Sequence, residues 1–316
     1  MSVRSLLYSA AMNEAQVPEN QASPVNSGAG SAAGMGSDAP SGSGGGPDPK
    51  PTVYAEILYE VRAGVAHITL NRPERRNPIG ASTVGELLHA LDRAKRDDAV
   101  RVVVLTGAGK VFSAGGDLNQ MGAGGNPLQA GPSENRLAGT FVDLNLMLAG
   151  QGLGKPTIAK VNGHAMAGGL GLVVACDVAI AADDAQFATP EINVGLWPMM
   201  IMATIFRNVP RKRAMELVLT GDRIDAAAAE RMGLISRAVP RDRLDAEVQN
   251  LCQKICEKSP LVMQLGLEAF HKTQEMDFEP ALRLLEGELL RVLTTEDAAE
   301  GLLAFLQKRP PVWKGR

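Results

Sequence analysis

Phe112-Ser113-Ala114-Gly115-Gly116-Asp117 and Asn162-Gly163-His164-Ala165-Met166-Ala167-Gly168-Gly169 decide how this chain is read. An apolar run precedes each: Val102-Val103-Val104-Leu105 the first, Pro156-Thr157-Ile158-Ala159-Lys160-Val161 the second. Short β-branched runs bounded by turn residues read as buried strands. Each segment then leads into a helix-like stretch. Two strand-to-helix turns made of small residues can aim two backbone N–H groups at one oxygen. That arrangement stabilises the oxyanion of carbonyl or thioester chemistry.

Outward from these turns, Tyr54–Glu60 and Val65–Leu70 alternate as a hairpin around Arg62-Ala63-Gly64. Thr83–Arg96 carries Val84, Leu87, Leu88 and Leu91 at helical spacing, with Ser82 or Thr83 as the N-cap. Val100–Leu105 reads as a buried strand, Gly122–Ser133 as a Gly/Pro loop and Arg136–Leu148 as a helix. A Thr157–Val161 strand, a Gly169–Val174 helix and an Asp177–Ala182 strand follow, and beyond Pro198 the pattern is almost wholly helical. Strand and helix alternate, which predicts an α/β fold with largely parallel strands.

Composition bounds the function. Apolar residues make up 45% of the 316, enough for a sizeable core, but aromatics are only 4%, so aliphatic side chains and Met must fill it. A net charge of −3 argues against sequence-independent nucleic-acid binding, which needs a basic surface. No apolar run is long enough to span a bilayer, so no membrane partner is expected. Cys176, Cys252 and Cys256 are odd in number and lack metal-ligand spacing, so no metal site is expected. They read as buried reduced thiols of a cytoplasmic protein. Residues 1–52 are rich in Ser, Gly, Ala and Pro and read as a disordered tail. With Arg4 against Glu14 and Glu19 that tail makes a poor transit peptide, although organellar targeting by it stays open. The expected division is this tail, a core over 53–250 and a helical segment over 251–316.

Gly163-His-Ala165-Met-Ala-Gly168 also loosely mimics a dinucleotide-binding turn, with Asp183 at the end of the next strand. Alanine at the second glycine position weakens that match. The turn would sit mid-chain, and the reading leaves Phe112–Asp117 and the helical C-terminal part unexplained.

Four ordered segments resemble the enoyl-CoA hydratase/isomerase (crotonase) superfamily. They are Ile68-Thr-Leu-Asn-Arg-Pro-Glu-Arg-Arg-Asn77-Pro-Ile, the Phe112–Leu118 turn, Lys155–Leu172 with Ala175–Ile180, and Phe187-Ala-Thr-Pro-Glu191-Ile-Asn-Val-Gly195-Leu followed by the ending Glu300–Pro310. The resemblance implies a spiral of ββα units forming two roughly perpendicular sheets. A helical C-terminal segment would then cover the site and pack between subunits. It implies a homo-oligomer, a trimer or a dimer of trimers, and an acyl-CoA thioester as substrate, the coenzyme A being carried by the substrate rather than held as a cofactor. It assigns the oxyanion N–H groups to Gly116 and Gly168. Glycine permits the close backbone approach this needs, and the helix N-terminus after Gly168 favours a developing enolate.

Typical family hydratases use two glutamates around one water. One matches Glu191, in Thr189-Pro190-Glu191; where the other would stand this chain has Gly171, between Leu170 and Leu172. Hydration wants one group to activate water and one to deliver a proton, or one group doing both in turn, and a missing partner costs about 10²–10⁴ in rate. Moving a double bond from the 3,4 to the 2,3 position needs only one base, so isomerisation with Glu191 as sole proton shuttle is somewhat favoured. Hydration with one glutamate and a non-catalytic acyl-CoA-binding scaffold remain the alternatives. Met199-Met200-Ile201-Met202, after Trp197, stands where the family often has glycines, and would either reshape an acyl pocket or simply pack. For the CoA diphosphate the candidates are Arg75, with Arg76 beside it, and Lys308 and Lys314 in the tail. Asp117 and His164 read as supports of their turns, and His67, His89 and His271 show no triad pairing.

Overall fold

The parity of the apolar runs sets the layering. In a computed structural model, which describes residues 53–117 and 136–316, β1 (Ile57–Arg62) and β2 (Val65–Leu70) form the expected antiparallel hairpin. Its turn residues Ala63 and Gly64 both have positive φ, as a tight two-residue turn requires. A short β3 (Pro78–Ile79) leads into helix α1 (Ala81–Arg96), whose Val84, Leu87, Leu91 and Ala94 face the core. The N-cap is Gly80 rather than Ser82 or Thr83. The Thr83 hydroxyl instead accepts from the Gly80 N–H at 3.3 Å, from inside the first turn.

Next come β4 (Val102–Gly107), β5 (Val111–Ser113) and β6 (Gly115–Gly116), then α2 (Arg136–Leu148). β7 (Thr157–Val161), β8 (His164–Met166) and α3 (Gly168–Ala175) follow, and then β9 (Val178–Ala182) and β10 (Gln186–Ala188). The later part holds α4 (Met199–Asn208), α5 (Arg211–Thr220), β11 (Ile224–Asp225), α6 (Ala226–Arg231), β12 (Arg237–Val239), α7 (Leu244–Cys256), α8 (Pro260–Thr273), α9 (Phe278–Leu293) and α10 (Glu296–Gln307). The region after Pro198 is therefore helical with two short strands inserted. The tail over 1–52 and the loop over 122–133 lie outside the described residues.

Two sheets result. The larger runs β1-β2-β4-β7-β9-β12, parallel from β2 onward, and the smaller runs β11-β10-β8-β5. β3 and β6 make a separate parallel pair. The pairs β4/β5, β7/β8 and β9/β10 each put their first strand in the large sheet and their second in the small one. This is the repeated ββα unit. It also corrects the simpler picture of the two glycine-rich turns: each contains a further short strand before the chain goes on.

The middle of the large sheet is covered on both faces, so β4 and β9 are almost continuously buried, and β7 is too apart from half-buried Lys160. Val103, Leu105, Ala159, Val161, Ala179 and Ala181 pack into one cluster with Phe112, Phe187 and α1. Their alternates Val102, Val104, Ile158, Ile180 and Ala182 pack against Leu244, Val248 and Cys252 of α7. Cys176 and Cys252 are buried but Cys256 is only partly so, and all three are free. Burial pushes the Cys252 thiol up to about 11 and raises that of Cys176 as well, which keeps both unreactive. The last helices are different: α9 buries no residue, and Phe278, Leu282, Leu289 and Leu290 lie exposed along it.

Candidate active site

Backbone contacts draw the two glycine-rich segments together. β5 pairs in parallel with β8, Ser113 opposite Ala165, and β8 pairs with β10, Met166 opposite Ala188. The three strands end side by side, and the chain leaving each carries a candidate residue: Gly116 after β5, Gly168 after β8 and Glu191 after β10.

Gly115 makes the closest approach. Its φ is +94, and a Cβ on it would stand 2.6 Å from Cβ of Ala167, 2.9 Å from the Met166 carbonyl oxygen and 3.3 Å from the Gly168 nitrogen. Only glycine fits there. The Gly116 nitrogen in turn lies 3.9 Å from where a Gly168 Cβ would be. Ile79 is registered with Gly116, and Asp117 donates to the Ile79 carbonyl at 3.0 Å. In such a ladder the Gly116 N–H points away from β3. Gly168 opens α3, where an N–H has no carbonyl within the helix to bond. The preceding Ala167 is held at φ 50, ψ −129, an unusual conformation for a residue with a Cβ. Its N–H donates to the Ala188 carbonyl at 3.0 Å and its carbonyl accepts from Gly171 at 3.1 Å. The two candidate N–H groups are thus brought together and fixed from both sides.

Glu191 sits in the 3-10 turn Pro190–Val194 after β10, anchored by buried Thr189, whose hydroxyl donates to the Leu217 carbonyl at 3.0 Å. Among the described residues its Oε2 is buried with no hydrogen-bond partner. Burial raises the carboxyl pKa above the usual glutamate range, against a smaller opposing effect of a backbone hydrogen bond. A buried carboxylate oxygen with no partner is unfavourable for folding alone and suits a proton carrier.

Gly171 lies one turn along α3 from Gly168, on the same face. A Cβ there would overlap Cγ2 of Ile201 and stand 3.0 Å from Cβ of Ile201. Of the Met199–Met202 stretch, Met199 and Met200 are exposed and Ile201 is the buried member. Phe141, on α2, also reaches in: its Cζ lies 3.6 Å from the Gly168 Cβ position and 3.9 Å from that of Gly171.

Arg75 is partly exposed and pairs with Asp117 at 3.1 Å, and Arg72 lies 3.5 Å from the same carboxylate. Asp117 is buried, and its carboxylate ties the end of β6 to Arg72 and Arg75 in the loop before β3. The His164 side chain ties β8 to β10, its Nδ1 accepting from the Gln186 N–H at 3.1 Å. Lys308 is the exposed left-handed cap of α10. Lys314 pairs with Glu296 at 3.0 Å, and its N–H donates to buried Asp297 at 2.7 Å. Among the described residues no hydrogen bond or ion pair links either lysine to Gly116, Gly168, Glu191 or Arg75.

Asn77 is the residue that reading by motif undervalues. It is buried, with φ 53, and its Nδ2 reaches the carbonyls of Ala108, Val111 and Phe112 at 2.9, 2.8 and 3.2 Å, while Oδ1 accepts from Arg72 N–H at 2.9 Å. The Ser113 hydroxyl donates to the Asn77 carbonyl at 2.8 Å and accepts from Gly115 N–H at 3.1 Å. An Asn before a Pro was the available signal, since Asn tolerates left-handed backbone. Asn77→Ala leaves several buried groups unpaired and is expected to cost about 2–4 kcal/mol, read by urea denaturation. An unchanged midpoint would show that water replaces the amide.

Comparison with known proteins agrees with this geometry. The profile of the family described as Enoyl-CoA hydratase/isomerase matches residues 60–316. The chain is 34% identical over 269 residues to "Enoyl-CoA hydratase domain-containing protein 3, mitochondrial" of Rattus norvegicus, covering 85% of this chain and 86% of that one. It is 35% identical over 266 residues to the 2,3-dehydroadipyl-CoA hydratase of Escherichia coli (strain K12), covering 83% and 100%. Among solved structures, an enoyl-CoA hydratase of Mycobacterium smegmatis superposes with a TM-score of 0.77 at 35% identity, covering 82% of this chain and 99% of that one. With the fold, the glycine-rich junctions and these matches in agreement, the chain belongs to the enoyl-CoA hydratase/isomerase family.

Proposed function

We propose that this chain acts on an acyl-CoA thioester through an enolate held by the Gly116 and Gly168 N–H groups, with Glu191 as the only acid/base. Shift of a 3-enoyl-CoA to the 2-enoyl isomer is the favoured reaction. The Glu191 carboxylate removes a C2 proton and the C2–H electrons delocalise onto the thioester oxygen, giving a dienolate. The same carboxyl group then returns the proton to C4, leaving the double bond between C2 and C3. The observation that carries this reading is the buried, unpartnered Oε2 of Glu191 in a site where residue 171 has no side chain. A raised pKa suits a group that must both take and give a proton. Arg75, and the tail lysines Lys308 and Lys314, are the proposed partners of the CoA phosphates.

Hydration of a 2-enoyl-CoA by Glu191 alone is the second reading, favoured by the hydratase named among the relatives. The deciding assay supplies the two substrates separately and identifies products by mass. Conversion of the 3-enoyl substrate at constant mass supports isomerisation, and gain of one water by the 2-enoyl substrate supports hydration. Binding of both without turnover would leave an acyl-CoA-binding scaffold.

A core over 53–250 and a helical segment over 251–316 that covers the site and joins subunits remain part of the proposal. The bare apolar face of α9 supports self-association, since monomers rarely leave so many large side chains in water. Sedimentation is expected to give a trimer or a dimer of trimers, and Leu282→Glu/Leu289→Glu to give smaller species. A monomeric unaltered protein would refute this. No described helix is long and apolar enough to cross a membrane. The relatives divide between a protein named mitochondrial and a bacterial one, so the cytoplasmic reading rests on the free cysteines alone.

A further inference from the structure

The two oddities of the sequence, a glycine at 171 and a bulky run at 199–202, meet at one point. Ile201 comes from α4 and Gly171 from α3, and the isoleucine side chain fills the volume into which any side chain at 171 would project. That volume lies on the helix face that begins with the Gly168 N–H, and Phe141 spans the positions of both glycines. Ile201 is held firmly. It is 3% exposed, Ile205 one turn on is fully buried in the same cluster, and its carbonyl accepts from the Thr204 hydroxyl at 2.9 Å. Its methyl groups cannot swing away cheaply in a close-packed interior.

We infer that Ile201 is a specificity-determining residue, which with Phe141 makes a dry wall that commits the site to single-base proton transfer and denies a water the second anchor that addition requires. The inference rests on the single-glutamate reading above. An ordered water needs two to four polar partners. Glu191 is the one carboxylate proposed for the site, and among the described residues at this wall Phe141, Ile201 and Gly171 bring no polar side chain. An enolate formed there has a proton to take back but no positioned water beside it. Glycine at 171 and isoleucine at 201 are then one paired choice: either alone could change only by disturbing the other.

The test compares the unaltered protein with Gly171→Glu, Ile201→Ala and the double variant, each given a 2-enoyl-CoA and a 3-enoyl-CoA, with Glu191→Gln as control. The double variant is expected to raise the hydrated share of product at least roughly tenfold over the unaltered protein and over each single variant. Equal shares in all four proteins would overturn the inference. A second reading needs no turnover. Gly171→Ala should lower the melting temperature in the presence of Ile201 and leave it level or higher in the Ile201→Ala background. An equal loss in both backgrounds would show that the two residues do not compete for space, and would also overturn it. The failures are distinguishable. If the unaltered protein turns over neither substrate, or does so without Glu191, the single-glutamate reading falls and takes the claim about product choice with it. If turnover depends on Glu191 and the double variant still adds no water, the wall alone is refuted.

Discussion

Glu191→Gln is expected to lower turnover of an enoyl-CoA by a factor of about 10²–10⁴ while leaving the protein as stable as before, or more so. The glutamine keeps the shape and loses the proton chemistry. The stability half follows from burial. The folded Glu191 carboxyl titrates above the ordinary glutamate value because its environment is poor in water and in partners. A group whose folded pKa is raised contributes stability that is fully present below its unfolded pKa and is lost as pH rises through the folded value. At neutral pH the ionised side chain is therefore a burden that glutamine removes. Urea midpoints of the two proteins should diverge in favour of the variant between mildly acid and neutral pH. The activity profile should run the other way, with kcat/KM falling as pH drops through the raised pKa and the base becomes protonated. A variant that keeps more than a third of wild-type turnover would remove Glu191 from the chemistry.

The second large effect belongs to Gly115→Ala. The added methyl group meets Cβ of Ala167, the Met166 carbonyl oxygen and the Gly168 nitrogen together, at a φ of +94 that alanine itself resists. The backbone must open between β6 and the β8–α3 junction. Gly116 and Gly168, the proposed oxyanion donors, are then forced apart. Loss of one oxyanion donor is worth about 10²–10³ in kcat, since such donors act on charge that develops only in the transition state. KM for the thioester should change far less, because the ground-state carbonyl is weakly held by the same groups. Stopped-flow turnover beside calorimetric binding of a saturated acyl-CoA separates the two. Equal losses in binding and turnover would mean that the substitution had merely unfolded the region.

Long apolar runs were readable because burial on both faces of a parallel strand leaves an unbroken signature. The Thr157–Val161 strand and the Arg136–Leu148 helix coincide with β7 and α2. The three-residue strands β5, β8 and β10 were not, since a period of two needs more than three residues to show itself. β12 was hidden for the same reason inside a helical stretch. Gly116, Gly168 and Glu191 could be named from their motifs as candidates, whose catalytic roles are the proposal made above. The roles of Phe141 and Ile201 could not, because they depend on which distant segments pack over α3. Asn77 lay in plain view, but three of its four side-chain hydrogen bonds, those to the Ala108, Val111 and Phe112 carbonyls, exist only once the segment carrying β5 has docked.

The order of strands in the large sheet also has a bearing on synthesis. Only β1 and β2 pair locally there; every later strand must find an edge formed by residues well upstream, as Val102 does with Val65. Such pairings close slowly, and a chain emerging from the ribosome carries an unfinished edge meanwhile. In the finished sheet that edge is Arg237–Val239, short, bearing an arginine and followed by Pro240, all features that discourage a foreign strand from joining. Until it arrives the edge is β9, five residues without a charge. A translation product stopped before Arg237 would therefore present a bare hydrophobic template, and should be found in inclusion bodies where the full chain stays in solution.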